Sequence, residues 1–185
     1  MTSITFFAIY KQLFTILHVL CVIIGMGAAL VTDILFSFFA SNKTLSSFEI
    51  KIIRLLSKVV TLALVGIVLT GITIFLSDPL RYMASAKFLT KMSIVLILCI
   101  NGYLLHRFIF SRLSEKDFLI KRKTSSVRKM SFVLGAVSLI SWVSAMSLGV
   151  LDKINLSYTT AFSLYLVVLV FGAMISQVIA KKLYP

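Results

Sequence analysis

The sequence predicts an all-α integral membrane bundle of five transmembrane helices, and three observations carry that reading. First, 59% of the 185 residues are hydrophobic and only 14% are charged, against about 45–50% and roughly 25% in soluble domains. A chain this apolar has no core large enough to hide its surface, so lipid must cover it. Second, the apolar residues gather in five runs near the ~20 residues a helix needs to cross the hydrocarbon. Third, the basic residues alternate between connectors: fourteen fall after the first and third runs and at the C-terminus, and five fall elsewhere. By the positive-inside bias, this places the N-terminus outside and the C-terminus in the cytoplasm.

The expected spans are 13–39, 54–77, 88–110, 130–150 and 158–180, in a single domain over 1–185. Residues 4–12 extend the first helix into the interface, and the first run outlasts the ~7–15 apolar residues of a signal peptide. The second helix starts at a capping box, Ser46-Ser47-Phe48-Glu49, in which serine and glutamate satisfy each other's orphan backbone donors. Ser77-Asp78-Pro79 ends it and opens a short interfacial turn through Ala84, because proline fixes the first helical position. Gly25, Gly27, Ala28 and Ala29 thin the first span, and Gly66 and Gly71 thin the second. Ser141, Ala145 and Gly149 recur every fourth residue in the fourth, the spacing that lets helices approach. Ser138 and Ser144 widen this strip beside Trp142; a polar path for a substrate is the other reading. The fifth run is apolar until Lys181.

A net charge of +13 raises the question of nucleic acid. The basic residues sit in short connectors between apolar runs, which fits anionic headgroups and excludes a nucleic-acid surface. The connector at 114–129, SEKDFLIKRKTSSVRK, is a topology anchor and a candidate surface for anionic lipid or a protein partner. Cys21 and Cys99 both fall in apolar runs and read as buried small hydrophobes.

Ionisable groups inside a span cost roughly 2.5–3.5 kcal/mol each on insertion scales and are functional candidates by default. Here they are His18, Asp33, Lys91 and His106, with Asn101 as a neutral companion. His18 and Asp33 stand fifteen residues apart on the first span, and Lys91 and His106 fifteen apart on the third. That spacing is about 22 Å of helix. The predicted topology therefore makes an outer layer of His18 and Lys91 and an inner layer of Asp33 and His106. The two histidines are too far apart in depth to clamp one haem iron. The inner layer reads as a structural clamp or as part of a proton or metal path with Asn101. In the outer layer, Lys91 either snorkels to water beside an interfacial His18, or the pair forms a site. In a site, His18 is an axial ligand to haem or another metal, and Lys91 ligates or binds an anionic group. Cys21 and Met26 add a soft-ligand alternative for copper.

LHVLCVIIGMGAALVTDILF, RLLSKVVTLALVGIVLTGITIF and KFLTKMSIVLILCINGYLLH resemble the first three helices of a group of small bacterial membrane proteins. The group comprises the copper-resistance D-type proteins and the J-type protoporphyrinogen oxidases. The shared features are a histidine early in the first helix, a glycine late in the second and a lysine opening the third. The resemblance covers about 100 residues, and the chain departs from it in having no tryptophan soon after His18. It implies haem b held near His18 and Lys91 in a redox role at the inner membrane. A membrane redox partner or a second copy of the chain would then be expected. The other expectations are a non-catalytic assembly or scaffold protein, and a copper or proton transport protein.

Overall fold

The computed structural model describes residues 3–41, 46–110, 125–151 and 155–183. Every regular element among them is helical. In chain order they are α1 (Ser3–Ser41), α2 (Ser47–Leu76), the short α3 (Pro79–Met83), α4 (Ala86–Leu104), α5 (Ser125–Val150) and α6 (Tyr158–Leu183); α4 runs on into a π-helical turn, Leu105–Phe110. Five stretches are long and apolar enough to cross a membrane: Ile9–Phe39, Ser47–Leu76, Ala86–Ile109, Lys129–Val150 and Tyr158–Lys182. The shortest has 22 residues, about 33 Å of helix, enough for the ~30 Å hydrocarbon core. The outer surface matches that solvent: Leu62 is 72% exposed, Val178 67% and Phe38 66%. Such a face is stable only against lipid.

The local signals resolve as the residues imply. Ser46 caps α2 in a reciprocal box: its hydroxyl accepts from the Glu49 amide at 3.2 Å, and its own amide donates to Glu49 Oε2 at 2.6 Å. This starts α2 seven residues before its expected span, outside the hydrocarbon. At the other end, Asp78 caps α3 and Pro79 occupies its first turn. Phe75, Tyr82 and Phe88 close this corner, with ring centroids 5.2–6.5 Å apart, and the Lys11 ammonium lies 5.4 Å from the Tyr82 ring. Amphipathic rings at such depths anchor helix ends in the interface. The connector at 114–129 lies outside the described residues over 114–124.

The bundle has two parts. α1 and α2 form an antiparallel hairpin, their closest pairing, while α4, α5 and α6 pack on one another. Small residues set the hairpin's spacing. A Cβ on Gly66 would sit 2.7 Å from Cys21 Sγ, and one on Gly25 would sit 3.0 Å from Ala63 Cβ. Gly27 differs from the expectation, since nothing lies within 4 Å of where its Cβ would be. Two residues turn a helix by 200°, so Gly27 faces away from the partner that Gly25 touches. In the second part, Ser141 and Tyr165 share a buried hydroxyl contact at 2.8 Å, Ser93 and Tyr158 another at 3.0 Å, and Asn101 Nδ2 donates to the Leu134 carbonyl at 3.0 Å. Polar contacts of this kind hold helices together where burial gives no drive.

Between the hairpin and the α4–α6 part, the middle of the bundle is sealed by Trp142, 3% exposed, with Ala29, Ile67 and Leu98. Its ring reaches into the space Gly25 leaves. His18 lies on one side of this layer and Asp33 on the other, seven and eight residues from Gly25.

Candidate functional site

At one end of the bundle His18 projects from α1 into the hairpin. Its Nδ1 lies 2.9 Å from Thr70 Oγ1. The threonine hydroxyl already donates to the Gly66 carbonyl at 2.6 Å. It therefore accepts at Nδ1, which assigns the ring proton to Nδ1 and leaves the Nε2 lone pair available. Gly71 supplies the room: a Cβ there would meet His18 Cε1 at 3.5 Å. Ring orientation and tautomer are thus fixed by α2 before any ligand arrives, as metal-binding imidazoles require.

Lys91, on the second turn of α4, brings its ammonium within electrostatic reach of the His18 ring. Its Nζ lies 3.7 Å from where a Gly149 Cβ would be, which places the ammonium against α5. Lys87, one turn earlier, donates to the Leu151 carbonyl. No carboxylate among the described residues pairs with Lys91. An imidazole with an open nitrogen beside an unbalanced ammonium favours a ligand that combines an electron-pair acceptor with negative charge.

A bare metal ion finds few ligands at this end. Among the described residues no group of three or more His, Cys, Asp or Glu side chains converges. Cys21 turns its sulfur onto Gly66, and Met26 packs in the Trp142 layer. Haem brings four equatorial nitrogens of its own, so one oriented imidazole suffices. An oriented imidazole, and a lysine with no carboxylate partner among the described residues, are what this end of the bundle offers.

Asp33 lies beyond the Trp142 layer, in a cavity of about 80 Å³ bordered by α1, α2, α5 and the π-helical turn. Its Oδ2 is buried without a hydrogen-bond partner. His106 is exposed on the π-helical turn, two residues of which, Leu105 and Ile109, border this cavity. An i→i+5 turn rotates the side chains that follow it off the face that 3.6-residue counting assigns. Asn101 is 3% exposed and spends its amide on Leu134, leaving Oδ1 without a partner.

Several residues at these two places escaped the sequence reading. Thr70 was one; its signal was its position beside Gly71 on a face opposite His18. The others are the cavity hydroxyls Thr32, Ser57, Thr61 and Ser131. Their signal was helical spacing: 57 and 61 are one turn apart, as are 131 and 135, with 138 following. No family model, curated protein or solved structure matches the chain.

Proposed function

We propose that this chain is a multi-pass protein of the bacterial cytoplasmic membrane that binds haem b in a redox role. His18 serves as its axial ligand and Lys91 as the counter-charge for a propionate. The observation that carries the reading is the Nδ1–Thr70 bond, which holds His18 with Nε2 open beside a lysine lacking a carboxylate partner. The excess of basic residues on alternate connectors supports an outside N-terminus, which puts this site near the outer leaflet. Anionic lipid meets the connector at 114–129, and electrons pass to a membrane redox partner or a second copy of the chain. The group supplies one-electron chemistry when bound. The chain orients the ligating imidazole, neutralises an acid group and, through Trp142, closes the floor of the site.

The test is an absorbance spectrum of the full chain purified from haem-supplied bacterial membranes. A Soret band that disappears in His18→Ala, weakens in Lys91→Ala and persists in Asp33→Asn is the expected result. Colourless wild-type protein refutes the proposal.

A further inference from the structure

The Asp33 cavity has no part in the haem reading, and its chemistry is one-sided. Asp33 brings a carboxylate whose Oδ2 is buried with no hydrogen bond, and no cationic side chain among the described residues pairs with it. Around it stand the hydroxyls of Thr32, Ser57, Thr61, Ser131 and Ser138. Two of these have already committed their protons, Thr32 to the Ala28 carbonyl at 2.7 Å and Thr61 to the Ser57 carbonyl at 2.9 Å. Their oxygens offer the cavity lone pairs only, so they cannot satisfy the carboxylate, and they repel an anion. An orphaned carboxylate beside electron-pair donors calls for positive charge from outside the chain.

The donor set also selects the kind of cation. The lining residues carry oxygen ligands, with no imidazole or thiol among them, which disfavours soft and borderline metals. One carboxylate balances one charge, whereas dedicated calcium sites gather several carboxylates and carbonyls. The volume of about 80 Å³ accommodates a small ion together with several waters. Gly102 and Gly135 line that space, and a Cβ on Gly135 would stand in ordinary contact, 3.5 Å from Asp33 Oδ1. The π-helical turn contributes Leu105 and Ile109 to the wall; such turns concentrate at functional sites because they distort the helix at a standing cost.

We propose that this cavity binds a small alkali cation of the sodium class, with the Asp33 carboxylate as counter-charge and the hydroxyls of Thr32 and Thr61 as neutral oxygen ligands. The site is separate from His18 and Lys91, so either assignment stands or falls alone.

The experiment uses the full chain purified in detergent, with two readouts: saturable binding of radioactive sodium, and the thermal unfolding midpoint in sodium chloride against N-methylglucamine chloride at equal ionic strength. Sodium should bind saturably and raise the midpoint, because a ligand held only by the folded state stabilises it by mass action. Asp33→Asn, nearly isosteric, should weaken sodium binding at least about tenfold, the size expected for loss of a charge-assisted contact. Thr61→Val, which keeps the helix and the carboxylate, should weaken it about threefold. His18→Ala should leave it unchanged. Wild-type protein that binds no sodium and melts identically in the two salts overturns the proposal, as does a folded Asp33→Asn variant that retains wild-type binding. If Asp33→Asn does not fold, Thr61→Val decides: unaltered binding there overturns the proposal.

Discussion

Replacing Gly25 with alanine tests the packing at the centre of the bundle. The new Cβ would lie 2.7 Å from Trp142 Cη2, 3.3 Å from Cζ2 and 3.0 Å from Ala63 Cβ. Non-bonded carbons prefer about 3.5–4.0 Å, so something must retreat by close to an ångström. The indole is a rigid plate, 3% exposed, held by Ala29, Ile67 and Leu98, and has nowhere to go. Overpacking of this kind costs about 1–3 kcal/mol. Against it runs the helix preference of alanine over glycine, about 0.8–1 kcal/mol. Gly27→Ala, on the same helix with nothing within 4 Å, gains the preference without the clash. The difference between the two variants therefore isolates the clash, at about 1–3 kcal/mol, or roughly 5- to 140-fold in the folding equilibrium. Unfolding in mixed micelles measures it by two probes, far-ultraviolet circular dichroism and the emission of Trp142, the one tryptophan of the chain. Trp142→Phe, which removes the clashing ring atoms, should recover part of the loss in the Gly25→Ala background. Equal stability of Gly25→Ala and Gly27→Ala refutes the reasoning.

Two further outcomes follow from individual contacts. Thr70→Val keeps the shape of the side chain but removes the acceptor at His18 Nδ1; haem affinity should fall about 10- to 100-fold, the usual effect of losing a ligand-orienting bond. Titration of haem into the apo-protein reads this, and an unchanged affinity removes the tautomer argument. Ser141→Ala and Tyr165→Phe each break the buried 2.8 Å contact between α5 and α6. A double-mutant cycle should give a coupling of about 0.6 kcal/mol, with about 1.7 kcal/mol as the upper range for membrane helices; zero coupling shows that the contact holds nothing.

The helices and their caps were legible because each signal is local. Lipid requires a helix wherever about 20 apolar residues run together, and Ser46 with Glu49, or Asp78 with Pro79, needs no distant partner to act. His18 and Lys91 were placed at a common depth because both lie on straight α-helix, where 1.5 Å per residue holds. The direction of His106 was not legible, since the turn at Leu105–Phe110 departs from α geometry and no residue in LHRFIF announces it. Gly25 and Gly27 look alike as letters; only the position of Trp142, fixed by the packing of α5, distinguishes them. The hydroxyls around Asp33 come from separate helices, and their convergence depends on helix rotation, which apolar periodicity constrains poorly when lipid covers most of every helix.

The indole at the waist of the bundle also bears on energy conservation. A membrane that stores work as an ion gradient tolerates no short circuit through a protein with polar groups toward both ends. Trp142 with Ala29, Ile67 and Leu98, none more than 6% exposed, forms a buried layer between the imidazole end and the carboxylate end. A leak from one end to the other would have to cross this layer.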